Sequence, residues 1–147
     1  MKPSADCMRN RSGTVALLVA DDEHRLLVLW HEKYRFWTVP LGKIEDGEID
    51  VRAAHREAFE ELGIVSEKVD LIETIHKPAD LDEYSDIFIS ICQVKSYKGE
   101  IENREPHKHR ELHFVHIDEI EHLQPLSYPT WVIAGKLNSA WRTEIVS

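Results

Sequence analysis

The amino-acid sequence predicts an α/β sandwich, in which a mixed β-sheet carries helices on both faces. Three observations support this fold class. The chain has 147 residues, which is the size of one ordinary domain. Its composition is 42% apolar and 31% charged, as is usual for globular proteins. Short segments typical of strands alternate along the chain with two or three segments of helical periodicity.

Composition also limits the domain organisation and the partners. Residues 1–12 are predicted to form a flexible lead-in, followed by a single domain over residues 13–147. The longest apolar run, residues 15–20, is too short to span a membrane, and the net charge of −9 disfavours a nucleic-acid polymer as partner. Cys7 and Cys92 form no paired framework and show no metal-ligand spacing. We therefore expect a cytoplasmic protein without a membrane partner.

Three strands are predicted in the first third of the chain. Residues 14–20 are continuously apolar, which indicates a buried strand. Residues 25–30 form a second strand, and the polar turn between the two predicts a β-hairpin. A short strand over residues 36–39 ends at Pro40, and residues 41–48 are expected to form a glycine-containing loop.

Residues 50–62 are predicted to form the first helix. Asp50 is the expected N-cap, and Gly63 is the expected residue at which the helix ends. At about 100° per residue, one narrow stripe of this helix is apolar and made mostly of small side chains, which suits close packing against a sheet. The stripe contains Val51, Ala54, Ala58 and Leu62.

The second half of the chain contains the remaining strands. Residues 69–75, 86–94 and 112–117 are predicted strands, of which the second alternates clearly between apolar and polar side chains. Residues 76–85 are expected to form a polar loop, and residues 96–110 a long charged loop.

Two further helices follow the last strand. A short helix is predicted over residues 118–123 and a C-terminal helix over residues 128–141. Strands interleaved with helices in this order favour a mixed sheet between two helical layers. The residues at helical spacing on the C-terminal helix are Trp131, Ala134, Leu137 and Trp141.

Three glutamates in the first helix suggest a metal site. Glu57, Glu60 and Glu61 lie at positions i, i+3 and i+4, so one face of about 100° carries all three carboxylates. Carboxylates that are crowded together repel each other and resist joint ionisation. Mg²⁺ relieves that repulsion, because it prefers oxygen ligands and bridges carboxylates to phosphates. The spacing therefore favours a magnesium site suited to phosphoryl chemistry.

The helix by itself leaves a second interpretation open. Arg52 and Arg56 lie at helical spacing from the glutamates, so the helix could carry only a surface lattice of ion pairs. The longer pattern separates the two interpretations. Gly42 is followed after five residues by Glu48, and after seven more by the run REAFEELGI over residues 56–64.

This segment resembles the signature of the Nudix hydrolases, G-x5-E-x7-R-E-U-x-E-E-x-G-U with U apolar, at every defined position. The preceding run FWTVPLG is similar to the usual entry of that motif, although Leu41 stands where a glycine is customary. The resemblance implies a Nudix α/β/α sandwich. It also implies a hydrolase that cleaves a pyrophosphate bond in a nucleoside diphosphate linked to a group X.

The resemblance implies residue roles as well. Gly42 would direct its backbone carbonyl at a metal, and Glu48 and Arg56 would form an ion pair that fixes the loop onto the helix. Mg²⁺ is the implied cofactor, with Mn²⁺ as a substitute. The general base varies within the family and is left open. The implied metal ligands and catalytic carboxylates are Glu57, Glu60 and Glu61.

A second region, residues 103–119, is similar to the loop and strand of MutT-like nucleoside triphosphatases. By that similarity Glu105 or Glu111 would be an additional metal ligand or base, and the alternative is that both are ordinary loop carboxylates. Three aromatic residues near the early strands fit either base stacking or the core. They are Tyr34, Phe36 and Trp37.

The substrate expected from these similarities is a small nucleotide. A (deoxy)nucleoside triphosphate cleaved to the monophosphate and pyrophosphate is favoured. The alternative substrates are ADP-ribose, to which Pro78 is a weak pointer, or a nucleotide sugar. A non-catalytic, nucleotide-binding Nudix module is the alternative from another class, and the intact signature argues against it. A homodimer is a candidate assembly that no sequence feature decides.

Overall fold

The computed structural model describes residues 12–77 and 87–146, with side chains described for 13–77 and 87–137. The strands in chain order are β1 Ser12–Leu18, β2 Arg25–His31, β3 Phe36–Thr38, β4 Leu41–Lys43, β5 Val65–Lys77, β6 Ile87–Lys98 and β7 His109–His116. The helices are α1 Asp50–Leu62, α2 Ile117–Ile120 and α3 Tyr128–Val146.

The described strands form two sheets. The larger sheet has the order β4-β1-β6-β5, and the smaller has the order β3-β2-β7. The larger sheet is mixed, because β1 runs parallel to β6 but antiparallel to β4, and β5 is antiparallel to β6. The smaller sheet is antiparallel throughout.

Strand β1 is buried on both of its faces. Side chains alternate across a strand, so Val15 and Leu17 pack in the core cluster that contains the buried face of α1. Ala16 and Leu18 pack in the opposite cluster, which contains Ile133 of α3. Helices therefore cover both faces, which explains the continuous apolar run and confirms the predicted α/β sandwich with a mixed sheet.

Helix α1 has the predicted bounds but not the predicted cap. Its N-cap is Ile49, in an extended conformation without a side-chain hydrogen bond. Asp50 lies inside the first turn, where its carboxylate accepts a 2.9 Å hydrogen bond from the Val51 backbone N–H, so the prediction of an Asp50 cap is wrong. Gly63 ends the helix as predicted, with φ of 71° and its N–H donating to the Phe59 carbonyl.

The predicted hairpin of the first two strands is confined to the residues next to the turn, and the rest of the predicted pairing is wrong. β1 and β2 lie in different sheets. The residues next to the turn are joined by a bridge between Ala20 and Leu26 and by hydrogen bonds from Leu27 N–H to the Val19 carbonyl at 2.9 Å and from Asp21 N–H to the Arg25 carbonyl at 3.0 Å. Both edges of β1 are occupied by β4 and β6, which leaves no edge for β2. The predicted loop over 41–48 accordingly begins with strand β4, which pairs Leu41 with Ala16.

Strands β5 and β6 are longer than predicted, because they pair with each other from Val65↔Lys98 to Lys77↔Ile87. The added ends of both strands are mostly exposed and carry mostly polar side chains, which an exposed strand tolerates. The apolar alternation that predicts a strand is therefore missing from the sequence at these ends. The predicted charged loop thereby shrinks to residues 99–108. Of the predicted loop over 76–85, the first two residues belong to β5, and the rest, with Pro78, lies outside the described residues.

The residues named at helical spacing on the C-terminal helix do not share one environment. Trp131 is 64% exposed, whereas Ile133 and Leu137 are buried against the sheet. The side chain of Trp141 lies outside the described residues. Within residues 12–77 and 87–146, no helix has the length and apolar character needed to cross a membrane.

Three buried hydroxyl groups fasten the start of α3 to the strand that precedes β4. The Thr130 hydroxyl accepts a 2.9 Å hydrogen bond from the Val39 backbone N–H. The Ser127 hydroxyl lies 2.7 Å from that of Thr130 and donates to the Thr38 hydroxyl at 2.9 Å. All three residues are at most 2% exposed, so this network fixes the segment that leads into Gly42.

We expect Thr130→Val to lower the free energy of unfolding by about 1–3 kcal/mol, because it leaves the buried Val39 N–H without an acceptor. Urea denaturation measures this change. Thr74→Val is the matched control, since Thr74 is exposed on β5 and its hydroxyl lies 3.4 Å from that of Ser90. The control should change stability by less than about 0.5 kcal/mol. Equal losses in both variants would contradict the role of the network.

Candidate metal and phosphate site

Helix α1 presents its glutamates along the side that adjoins the sheet. Glu57 is 8% exposed and Glu61 is fully buried, whereas the Glu60 side chain is 46% exposed. The two inner carboxylates share the buried face of α1 with alanines and a leucine. The predicted arrangement of three carboxylates on one face is therefore present, with Glu60 at its solvent edge.

Arg56 joins these glutamates to the preceding loop. Its guanidinium binds both carboxylate oxygens of Glu48, at 2.8 and 2.9 Å, and donates to the Lys43 carbonyl at 2.7 Å. It also donates to Glu57 at 2.8 Å and to Glu60 at 3.3 Å. The Arg56 hydrogen bonds hold the pKa of Glu48 down at about 2, and Glu48 in turn raises the pKa of Arg56. The loop is thus fixed to the helix, as the resemblance implies.

Gly42 and Glu57 are in direct contact. A Cβ atom on Gly42 would overlap the carboxyl carbon of Glu57. Only glycine therefore permits the β4 backbone to pass this close to the helix carboxylate. Burial raises the pKa of Glu57, against the opposing effect of the Arg56 hydrogen bond.

Glu61 is a buried carboxylate with one charged partner. Its Oε1 accepts a 3.1 Å hydrogen bond from Lys108 Nζ, and its Oε2 has no hydrogen-bond partner among the described residues. Burial raises the pKa of Glu61 to about 8, although Lys108 acts in the opposite direction. Burial acts to lower the pKa of Lys108, but the charge and hydrogen bond of Glu61, together with the charges of Glu105 and Glu57, outweigh it and the pKa is raised. Lys108 was not predicted as a site residue, although it lies in the segment 103–119 that is similar to MutT-like nucleoside triphosphatases.

The loop over residues 99–108 is fastened to the end of α1. The Arg104 N–H donates to the Glu61 carbonyl and the Glu102 N–H donates to the Leu62 carbonyl, both at 3.0 Å. Glu105 Oε1 lies 3.9 Å from Lys108 Nζ, and so on the same side as Glu61. Glu111 instead pairs at 3.0 Å with His113 on β7. Of the two candidate carboxylates, only Glu105 is shown beside the helix glutamates.

The described residues fit a hard divalent cation, but no three His, Cys, Asp or Glu side chains among them are gathered into a ligand set. Arg56 and Lys108 instead donate hydrogen bonds to carboxylate oxygens of Glu57 and Glu61. Two observations support the fit. Glu61 Oε2 is a buried oxygen without a hydrogen-bond partner in the described part of the chain, and a glycine, which has no Cβ, lies against Glu57. Carboxylate oxygens are the ligands that Mg²⁺ prefers.

The candidate stacking residues occupy two environments. Trp37 contacts Trp30 edge to face at 5.4 Å and packs against the core cluster of α3. Tyr34 is 48% exposed and stacks at 4.7 Å on His31. Phe36 meets the same imidazole edge to face at 5.8 Å. The structure therefore places Trp37 with the core, and of the three candidate rings only that of Tyr34 is exposed.

A pair of buried histidines lies next to Lys108. The rings of His31 and His109 are 5.5 Å apart, and they are 7% and 1% exposed. Burial lowers the pKa of His31, and burial with the neighbouring Lys108 charge lowers the pKa of His109 to about 4. Both imidazoles are therefore neutral at pH 7.

This neutral pair predicts a loss of stability in acid. His109 has a lower pKa in the folded state than the 6.5 of the unfolded chain, so between about pH 6.5 and 4 only the unfolded state gains a proton. We expect the free energy of unfolding to fall by about 3 kcal/mol across that window from this group. Urea denaturation from pH 7 to 4 measures the slope, and His109→Gln should reduce it. An unchanged slope in His109→Gln would contradict the assignment, and His55→Gln, on α1, is the control.

Comparison with known proteins identifies the family. A family model of the NUDIX domain matches residues 10–132. The chain is 30% identical over 86 residues to the asymmetrical bis(5'-nucleosyl)-tetraphosphatase of Sus scrofa, which covers 56% of this chain and 57% of that protein. It is 39% identical over 49 residues to the RNA pyrophosphohydrolase of Aeromonas hydrophila, covering 32% of this chain and 28% of that protein. The chain thus spans little more than half the length of the Sus scrofa relative and less than a third of the length of the Aeromonas hydrophila relative.

Solved structures agree on the fold. The MutT NUDIX hydrolase from Burkholderia pseudomallei superposes with a TM-score of 0.77 at 24% identity, over 86% of this chain and 97% of that one. A C. elegans Ap4A hydrolase superposes with a TM-score of 0.62 at 18% identity, over 89% and 98%. The fold and the acidic helix define a Nudix-type α/β protein. Since the family model covers most of the sequence, the chain belongs to the Nudix family.

Proposed function

We propose that this protein is a Mg²⁺-dependent hydrolase that cleaves a pyrophosphate bond in a nucleoside diphosphate linked to X. The observation that carries the proposal is the set of three glutamates on one face of α1, with a buried carboxylate oxygen of Glu61 that has no hydrogen-bond partner among residues 13–77 and 87–137. Family membership supports it, because the named relatives are hydrolases. The relatives do not agree on one substrate.

In this proposal the metal ligands are Glu57, Glu60 and Glu61, with the Gly42 carbonyl and Glu105. A divalent cation held there would neutralise phosphate charge and activate a water molecule. The chain's own contribution is positioning, because Arg56 holds Glu57 and Glu60 while its bonds to Glu48 fix the loop.

The proposed substrate is a (deoxy)nucleoside triphosphate, cleaved to the monophosphate and pyrophosphate. Superposition on MutT-type structures is compatible with it, although at this identity the likeness concerns the fold. A dinucleoside polyphosphate is the second candidate, because the Sus scrofa relative is named for that activity. ADP-ribose and nucleotide sugars remain alternatives. A reducing, cytoplasmic location and a homodimer belong to the proposal and stay predictions.

A substrate panel with and without MgCl₂ tests the proposal. It would contain standard and oxidised nucleoside triphosphates, a dinucleoside tetraphosphate, ADP-ribose, a nucleotide sugar and a 5'-triphosphorylated RNA. Chromatography of the products distinguishes pyrophosphate release from the other cleavages. We expect turnover with Mg²⁺ that is abolished by EDTA and by Glu60→Gln.

Two controls make the result specific. Glu67→Gln removes an exposed carboxylate of β5, which lies 3.7 Å from Lys98, and should retain full activity. If triphosphates are inert while another member of the panel turns over, the substrate proposal is wrong and the reaction class stands. If none turns over and nucleotide still binds, the chain is a non-catalytic binding module.

A further inference from the structure

Lys108 occupies the space between two carboxylates of the proposed metal site. Its ammonium lies 3.1 Å from Glu61 Oε1 and 3.9 Å from Glu105 Oε1. Glu61 is fully buried, so this ammonium is the sole charged group that the described residues place in contact with it. Without a counter-charge, this buried carboxylate would either take up a proton or destabilise the fold.

The position of Lys108 is held by the backbone around it. The Lys108 N–H donates to the Glu105 carbonyl at 2.9 Å, and the Lys108 carbonyl accepts from the Glu32 N–H at 3.0 Å. The loop itself is tied to the end of α1 through Arg104. The side chain is 37% exposed, and its ammonium is carried on a flexible four-carbon stem. The ammonium can therefore move away from Glu61 while the backbone of the loop stays in place.

We infer that Lys108 competes with the divalent cation for Glu61, and so acts as a positioning residue that keeps this carboxylate compensated in the metal-free protein. This inference rests on the proposed function, since it assumes that the cation binds Glu61. Metal loading then requires the ammonium to leave Glu61. Once displaced, the ammonium remains beside the site, where it can pair with a phosphate of the substrate.

Titration of metal-free protein with Mn²⁺, followed by the loss of the free-ion electron paramagnetic resonance signal, tests the competition directly. We expect Lys108→Met to bind Mn²⁺ about tenfold more tightly than wild type, because a like charge has been removed from the site. We also expect its metal-free melting temperature to fall below that of wild type and to recover more strongly on adding Mn²⁺. Lys108→Arg should retain the wild-type affinity and melting temperature.

The matched control is Lys95→Met, because Lys95 also forms a 3.1 Å ion pair, with Asp70, at the exposed surface of the β5–β6 pair. It should alter neither affinity nor melting temperature. Unchanged or weaker Mn²⁺ binding in Lys108→Met would overturn the competition while leaving the proposed metal site intact. If wild type and all variants fail to bind Mn²⁺, or if Glu61→Gln binds it as wild type does, the proposed role of Glu61 fails as well.

Discussion

Replacing Glu57 by glutamine is expected to reduce kcat for the substrate found in the panel by on the order of a thousandfold. Glu57 is 8% exposed, receives a hydrogen bond from Arg56 and lies against Gly42, so its carboxylate is firmly positioned. Glutamine keeps the shape but removes the charge that would hold a cation. Steady-state kinetics at saturating Mg²⁺ measures the loss.

Stability distinguishes this effect from unfolding. Burial raises the pKa of Glu57, so a neutral amide is well tolerated there and the melting temperature of Glu57→Gln should stay near that of wild type. Mn²⁺ titration of the same variant should show weakened binding. A folded Glu57→Gln protein with kcat within about threefold of wild type would exclude Glu57 from the proposed site.

Gly42→Ala is the second substitution for which we expect a large effect. The added Cβ would overlap the Glu57 carboxyl carbon, so either the carboxylate or strand β4 must move. Because β4 is paired with β1 and followed by the loop that Arg56 holds, the carboxylate is the part expected to move. We expect kcat to fall by about a hundredfold, since small displacements of a positioned group are costly. Overpacking should cost about 1–3 kcal/mol of stability.

Gly135→Ala is the matched control for this substitution. A Cβ at Gly135 in α3 meets no atom within 4 Å, so activity should be unchanged and stability equal or slightly higher. Gly42→Ala with wild-type kcat and wild-type Mn²⁺ affinity would show that the contact with Glu57 is unimportant for the site. Gly135→Ala therefore reports the effect of replacing a glycine alone, whereas Gly42→Ala also reports the effect of placing a Cβ against Glu57.

The sequence by itself determined the acidic helix, because the helical repeat depends only on local spacing. Residues 50–62 form α1 as predicted, Gly63 ends it, and three glutamates share one face. The buried strand β1 was also recognisable, since burial on both sides demands a continuous apolar run. The family resemblance followed from side chains within one short segment, residues 42–64.

Tertiary structure decided what depends on distant residues. β1 and β2 are neighbours in the chain but join different sheets, because β4 and β6 occupy both edges of β1. The pairing of Lys108 with Glu61 joins residues that are 47 positions apart in the chain, so local spacing does not predict it. Local periodicity determines which face of an element is apolar or acidic, whereas partners from remote segments determine which charges on that face are compensated. The acidic helix α1 can therefore be predicted from the sequence, whereas the pairing of Glu61 with the ammonium of Lys108 can be seen only in the folded structure.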